Sequence, residues 1–154
     1  MTLTTRFSVL ASLIFAPAAW AADDDAVSAL VKWQDDASVV FEASEATLDE
    51  FQWLARPVVV FADTAADPRF QQQIDLLKSN PDELAMRDVV IIVDTDPAAS
   101  SDLRTRLRPR GFMLAVLAKD GTVTLRKPFP WDVRELTRAI DKLPLRRDEI
   151  RAGG

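Results

Sequence analysis

The chain of 154 residues contains no cysteine, no histidine and no tyrosine, and only four glycines. Without cysteine it has no thiol for redox or nucleophilic chemistry, and no disulfide stabilises its core. Without histidine it lacks the side chain that most often acts as a general acid or base near neutral pH. It also has no glycine-rich loop of the kind that binds phosphate. These absences exclude thiol oxidoreductases, histidine-dependent enzymes and P-loop nucleotide-binding proteins.

The first 21 residues have the pattern of an export signal. A positive charge at Arg6 precedes an apolar run from Phe7 to Ala16, and Ala19 and Ala21 form an A-x-A cleavage site. The apolar run is about ten residues long, whereas a membrane-spanning helix needs about 20. We therefore predict cleavage after Ala21, a periplasmic or secreted protein of residues 22–154, and no membrane span after the signal is removed.

Charge is divided unevenly along the chain. Residues 22–103 contain 5 basic and 18 acidic side chains, whereas residues 104–154 contain 13 basic and 6 acidic ones. A domain with this division has a large charge dipole unless its two halves interleave in space, and such a dipole can steer charged partners. An acidic, exported protein without a pattern of stacking aromatic residues is not expected to bind nucleic acid.

Hydrophobic patterning predicts five strands. Continuous apolar runs rich in β-branched residues are typical of strands that are covered on both faces. The segment Lys119-Asp120-Gly121 separates the last two runs, and Asp-Gly between apolar segments is a strong signal for a tight hairpin. The predicted strands are residues 39–42, 57–62, 88–94, 112–118 and 122–126.

Helices are predicted between the first four strands and after the hairpin. Each begins with a side chain that can accept a hydrogen bond from the first turn, and a proline or glutamate follows at the spacing of a capping signal. The element order is therefore β-α-β-α-β-α-β-β-α. Because crossover connections are right-handed, the first three strands run parallel, and the hairpin makes the last two antiparallel. The predicted helices begin at Thr47, Asp67, Asp96 and Asp132.

This order predicts an α/β, thioredoxin-like three-layer sandwich with a mixed central sheet. A flavodoxin-like sheet is the alternative, but it requires a helix between the last two strands, where Asp120-Gly121 leaves no room. The predicted organisation is a signal peptide (1–21), an N-terminal linker or helix (22–37), the thioredoxin-like domain (38–145) and a charged C-terminal tail (146–154).

Five segments of the mature chain carry a family resemblance: LDEFQWLARPVVVFAD, DPRFQQQIDLL, MRDVVIIV, GFMLAVLAKDGTVTLRKP and AIDKLPLRRDEIR. Together they resemble the bacterial exported proteins described as domain of unknown function 4174. A related domain occurs in secreted vertebrate proteins of the equarin and sushi-repeat type. The resemblance extends from Leu48 to Arg151 and implies a thioredoxin-like fold without the redox motif, but it implies no reaction.

The turn after the second strand, Asp63 to Asp67, lacks the redox site of thioredoxins. It has no C-x-x-C motif, whose reactivity depends on a helix start that lowers the pKa of a thiolate. Met113 stands where such enzymes have a cis-proline before the final hairpin. Thr64 could act as a nucleophile only with a carboxylate or lysine as base, so a hydrogen bond to the local backbone is the favoured interpretation. We predict no catalytic residue and no cofactor.

Two loops form the candidate binding surface, one after the second strand and one before the fourth. Since Pro109 favours extended geometry at Arg108, we expect Arg108 and Arg110 to project to the same side. The partner is unknown, and an exported protein or an anionic component of the cell envelope suits the basic loop. The candidate residues are Asp63, Thr64, Asp67, Arg69, Arg108, Arg110 and Met113.

Two other interpretations stay open. A carboxylate-based hydrolase without metal or thiol would need Asp63, Asp67 and Arg110 to line a deep cleft. A Ca²⁺ or Mg²⁺ site is the second, because three carboxylates follow the third strand, but their spacing lacks the glycine and terminal glutamate of a calcium loop. Capping and solvation are favoured for these carboxylates, and no metal is predicted. They are Asp94, Asp96 and Asp102.

Overall fold

The computed structural model describes residues 27–153, so the predicted signal peptide and its cleavage site lie outside the described residues. From the first strand onward the strands and helices follow the predicted order, except that no α-helix lies between the first two strands, and one helix precedes the first strand. The elements are α1 (Ala29–Asp35), β1 (Val40–Glu42), β2 (Arg56–Phe61), α2 (Pro68–Lys78), α3 (Pro81–Ala85), β3 (Val89–Asp94), α4 (Asp102–Leu107), β4 (Met113–Leu117), β5 (Val123–Lys127), α5 (Val133–Ile140) and α6 (Pro144–Ala152).

The five strands form one mixed sheet with the order β1-β3-β2-β4-β5. β1, β3 and β2 are parallel, and β4 and β5 are each antiparallel to the preceding strand in this order. The predicted strand directions and the α/β thioredoxin-like fold are therefore confirmed. In the centre of the sheet, Phe61 at the end of β2 lies opposite Asp94 of β3 on one side and Met113 of β4 on the other.

Helices cover both faces of the sheet and complete two apolar layers. All six residues of β2 and all six of β3 are buried, as the continuous apolar runs predicted. One layer joins side chains of α1, α4 and Phe51 to the sheet, and the other joins side chains of α2, α3 and α5. Each fully buried aliphatic or aromatic side chain contributes roughly 1.5–3 kcal/mol, so this burial supplies the main stabilisation in a domain without disulfides. None of the helices within residues 27–153 is both long and apolar enough to cross a membrane.

The helix predicted after Thr47 is only a single 3-10 turn, Asp49–Phe51. The returning hydrogen bond of the capping box is present, since the Thr47 N–H donates to Glu50 Oε1 at 2.7 Å. The turn nevertheless ends at Gln52, because the chain has to reverse within a few residues to enter β2 at Arg56. Trp53 makes this reversal in the left-handed region with φ 67°. The prediction of a full helix was therefore wrong.

The segment predicted as a charged tail belongs largely to α6, which begins with Pro144 in its first turn. The guanidinium of Arg56, with a fully buried side chain, donates from Nη2 to Glu149 Oε1 at 2.7 Å and from Nη1 to the Arg87 carbonyl at 2.8 Å. Lys119 Nζ lies 3.1 Å from the same Glu149 oxygen. Arg146 Nη1 lies 3.2 Å from the other oxygen of Glu149. The pair with Arg146 lies within α6, and the pairs of Glu149 with Arg56 and Lys119 hold α6 on the domain.

The acidic first part and the basic second part of the chain interleave. Ion pairs join the two parts at several places on the surface and in the interior, so the uneven charge along the sequence is partly compensated in space. The pairs that join an acidic residue of the first part to a basic residue of the second are Asp49–Arg106, Asp88–Lys119 and Asp94–Arg104.

Glu149 is the carboxylate on which the docking of α6 depends. Burial by itself would raise the pKa of Glu149, but side-chain hydrogen bonds from Arg56, Lys119 and Arg146 outweigh burial and lower the pKa from 4.5 to about 2. Because the folded-state pKa lies below the unfolded one, the ionised carboxylate stabilises the fold above pH 5. This contribution is lost as the pH falls towards 2.

We expect Glu149→Gln to lower the free energy of unfolding at pH 7 by about 2 kcal/mol, because the buried guanidinium of Arg56 would lose its nearest carboxylate and keep only the longer pair with Asp88 at 3.6 Å. Urea unfolding at pH 7 and at pH 3 measures the effect, and the difference from the wild-type protein should shrink at the lower pH. Asp148→Asn is the matched control, since Asp148 pairs only with exposed Arg151. An equal loss of unfolding free energy in the two variants would contradict this role of Glu149.

Candidate functional site

The turn from β2 to α2 is built around Asp67. Asp67 is the N-cap of α2, as predicted, and its Oδ1 accepts the Arg69 N–H at 2.9 Å. Arg69 Nη2 lies 2.7 Å from Asp67 Oδ2, and hydrogen bonds from the Arg69 side chain and backbone lower the pKa of Asp67. Thr64 Oγ1 accepts the Ala66 N–H at 3.3 Å, which is the local backbone hydrogen bond favoured for it. Both side chains therefore have structural partners within the turn.

The two loops of the predicted binding surface lie against each other. A Cβ atom placed on Gly111 would be 3.9 Å from Asp63 Oδ2. The guanidinium carbon of Arg69 is 5.5 Å from the centre of the Phe112 ring, a distance typical of cation–π contact. The structure thus brings the turn after β2 and the loop before β4 together at the carboxyl end of β2.

Two expectations about the basic loop were wrong. Arg108 is not extended but left-handed, with φ 49°, because its N–H donates to the Arg104 carbonyl at 2.8 Å and closes the end of α4. Met113 is a buried residue of β4 with 9% exposure, and its sulfur lies 3.9 Å from Arg126 Nη1. Arg108 and Arg110 are exposed. The accessible part of this loop therefore consists of the two arginines, without Met113.

The junction between the carboxyl ends of β2 and β3 is occupied by Arg104. The connection after β2 leads to α2 on one face of the sheet, and the connection after β3 leads to α4 on the other. Such a divergence forms the crevice in which open α/β sheets commonly bind ligands. Here Arg104 donates from Nε to Asp94 Oδ1 at 2.8 Å and from Nη2 to the Ala62 carbonyl at 2.6 Å. Its guanidinium carbon also lies 5.6 Å from the Phe61 ring centre.

Sequence reasoning missed this interaction. Asp94 was recognised at the end of a strand and Arg104 within a run of alternating arginines, but nothing in the local pattern pairs residues ten positions apart across a loop. The buried pair also involves Ser101, whose hydroxyl donates to Asp94 Oδ2 at 2.5 Å and accepts the Arg104 N–H at 3.2 Å. The one sequence feature that pointed to this interaction was Ser101, a typical N-cap residue that follows the strand-end carboxylate of Asp94 by seven positions.

A cavity of about 630 Å³ lies next to this junction, at the carboxyl ends of β1 and β3. It is formed by the loop after β1 together with the 3-10 turn Pro97–Ala99 and the start of α4. Burial, followed by repulsion from Glu45 and Asp94, raises the pKa of Glu42. The polar and charged residues that line the cavity are Glu42, Ser44, Thr47, Asp49, Asp94, Thr95, Asp96, Ser101, Asp102 and Arg106.

The three aspartates considered as metal ligands all line this cavity, but two of them have partners of their own. Asp94 is paired with Arg104, and Asp96 accepts the Ala98 N–H at 3.0 Å as the cap of a 3-10 turn. Capping, the favoured interpretation, is confirmed for Asp96. Between residues 27 and 153 no group of three or more acidic side chains is arranged to hold a metal ion. Of the three main cavities in this range, none is lined by Asp63, Asp67 or Arg110, the residues required for the hydrolase interpretation.

Comparison with known proteins gives a family and a fold. The profile of the family described as Domain of unknown function (DUF4174) matches residues 47–149. No curated protein shows significant similarity to the chain.

Three solved structures are similar in fold at low sequence identity. The reduced 2-Cys peroxiredoxin of Plasmodium vivax is 12% identical, with a TM-score of 0.54 over 70% of this chain and 89% of its own. Chloroplastic thioredoxin z is 17% identical, with a TM-score of 0.51 over 67% of this chain and 92% of its own. Reduced desulfothioredoxin from Desulfovibrio vulgaris Hildenborough is 20% identical, with a TM-score of 0.51 over 68% of this chain and 97% of its own. At these identities the similarity establishes the fold alone.

We expect Arg104→Ala to lower the free energy of unfolding by about 3 kcal/mol, because Asp94 would keep a buried charge without its partner. Arg106→Ala, on the same helix, removes only an exposed pair with Asp49 and should cost less than about 1 kcal/mol. Urea unfolding of both variants at pH 7 measures the difference. Similar losses of unfolding free energy in the two variants would show that Arg104 does not hold the ends of β2 and β3 together.

Proposed function

The chain belongs to the family described as Domain of unknown function (DUF4174), and on this premise we propose that it is an exported binding module. In this proposal the thioredoxin-like scaffold is used for contact with a partner and carries out no redox chemistry. The absence of cysteine from the whole sequence supports this, because thiol exchange needs a thiolate. In this proposal, the export signal predicted for residues 1–21 would bring the protein to a partner in the periplasm or outside the cell.

The observation that carries the proposal is the convergence of the two loops at the carboxyl end of β2. Asp63, Thr64 and Arg69 project from one loop, and exposed Arg108 and Arg110 from the other. The hydrogen bonds between Asp67 and Arg69 and the contact of Arg69 with Phe112 fix the first loop before any partner arrives. A preorganised surface loses less conformational entropy on binding, which favours a recognition role.

The charge of this surface suits an anionic partner. Two arginines of the second loop are exposed without an ion pair to any residue in the range 27–153, and Arg69 is half exposed beside Asp67. Guanidinium groups recognise carboxylates and phosphates through paired hydrogen bonds. We therefore propose an acidic surface of an exported protein, or an anionic envelope component, as the partner. The alternative, a carboxylate-based hydrolase, was expected to use Asp63, Asp67 and Arg110, and these residues line none of the three main cavities of residues 27–153.

We expect the double variant Arg108→Ala, Arg110→Ala to lose its specific partner in cells. In-cell crosslinking of the exported protein, followed by mass spectrometry, measures the set of partners. The matched control is Arg134→Ala, Arg138→Ala, which removes two exposed arginines from α5 and changes the net charge equally. A partner set that is unchanged by the first variant, or equally reduced by the control, would contradict the proposed surface.

The proposed export leads to a separate prediction about the N-terminal residue of the mature protein. We expect the intact mass of the protein from the envelope fraction to correspond to a chain that starts at Ala22. Ala19→Lys and Ala21→Lys should each leave the precursor uncut, because the −3 and −1 positions of a cleavage site require small residues. Recovery of a full-length wild-type chain in the cytoplasmic fraction alone would contradict export.

A further inference from the structure

The cavity at the ends of β1 and β3 combines an apolar wall with an acidic rim. Its volume of about 630 Å³ lies within the range of sites that bind small ligands or single side chains. The wall is formed by Leu48, Leu103 and Ala46, which have exposures of 8%, 3% and 4%. An aliphatic stem entering the cavity would contact these side chains and lose contact with water.

The rim has a surplus of negative charge. Five carboxylates and a single guanidinium line the cavity. Asp94 is paired with Arg104 beneath the cavity, and Asp49 is paired with Arg106 at 3.1 Å. Glu42, Asp96 and Asp102 form no ion pair with any residue between 27 and 153. Asp96 caps a 3-10 turn, whereas Glu42, at the end of β1, and Asp102, at the start of α4, are exposed carboxylates without a cationic partner in this range.

Glu42 is exposed and lies where several negative charges are close together. Glu42 is the last residue of the edge strand β1 and lies opposite Val93, one position before buried Asp94. Its own N–H donates to the Glu45 carboxylate at 3.0 Å, which keeps a second negative charge close by. A cation beside Glu42 would relieve this repulsion, and the adjoining apolar wall favours a cation on an aliphatic stem over a bare ion.

The cavity is continuous with the edge that carries the proposed binding surface. Phe61 lies opposite Asp94, and the Ala62 N–H donates to the Asp94 carbonyl at 3.0 Å, so the turn after β2 begins beside the cavity. Arg104 bridges the two strand ends between them. A partner segment that follows the carboxyl edge of the sheet can therefore contact the exposed arginines and enter the cavity.

We propose that this cavity binds a lysine or arginine side chain of a peptide or protein partner, with its aliphatic stem against Leu48 and Leu103 and its charged end at Glu42 and Asp102. This inference rests on the proposed function, since it assigns a second recognition element to the same partner. The partner would then present an acidic region to Arg108 and Arg110 and a basic side chain to the cavity.

An NMR titration of the purified protein with Nα-acetyl-lysine methylamide and Nα-acetyl-arginine methylamide tests the proposal. We expect amide shifts confined to residues 42–49 and 94–106, weakened by added salt. Nα-acetyl-norleucine methylamide, which has an aliphatic stem without the charge, should cause much smaller shifts. The double variant Glu42→Gln, Asp102→Asn should bind the lysine probe roughly tenfold more weakly, because charge-assisted hydrogen bonds are lost.

The matched control is Glu135→Gln, Asp82→Asn, which makes the same change in net charge at exposed first-turn positions of α5 and α3. This control should bind the lysine probe as the wild-type protein does. Equal weakening in both double variants, shifts caused by Ca²⁺ but by neither organic cation, or no response to any cationic probe would each overturn the proposal.

The outcome of the NMR titration is independent of the outcome of the crosslinking experiment. An unresponsive cavity contradicts only the assignment of a basic side chain to it. A partner set that does not depend on Arg108 and Arg110 contradicts the proposed function, whatever the titration shows.

Discussion

The guanidinium of Arg104 determines how the carboxyl edge of the sheet is organised. It binds the ends of both central strands, through Asp94 on β3 and the Ala62 carbonyl on β2, and it covers the ring of Phe61. The crevice between these strands, which holds the ligand in many α/β proteins, is thus filled by a side chain of the protein itself. In the proposed function, the partner therefore contacts the two loops next to this junction and the acidic cavity instead.

A second buried guanidinium organises the opposite end of the sheet. Arg56 begins β2 and is joined to Glu149 of α6, so the first residue of a central strand depends on a carboxylate from the last helix. Both guanidiniums pair with a carboxylate that has other partners as well. Because a buried charge without a partner is strongly destabilising, these networks fix the position of α4 and α6 more firmly than their few apolar contacts would.

The fold could be predicted from the sequence because its signals are local. The apolar runs of β2 and β3, the Asp-Gly hairpin and the Asp67 cap each depend on neighbouring residues, and the structure contains all of them. The errors concern where elements end and where they dock. The turn after Thr47 is shortened by the entry into β2, Arg108 is left-handed because of the end of α4, and α6 is held by Arg56. Neither the Arg104 junction nor the cavity could be predicted, since both require the relative positions of loops that are distant in sequence.

The ion pair between Arg56 and Glu149 spans 93 positions of the chain. A nascent chain that has emerged only as far as β5 already contains the five strands of the sheet, yet Arg56 at the start of a central strand would lack the Glu149 carboxylate and keep only the longer pair with Asp88 at 3.6 Å. The pair with Glu149 can therefore form only once the final helix has been synthesised. If the chain is exported as proposed, such a delay would suit passage through a narrow translocation pore, which requires an unfolded polypeptide.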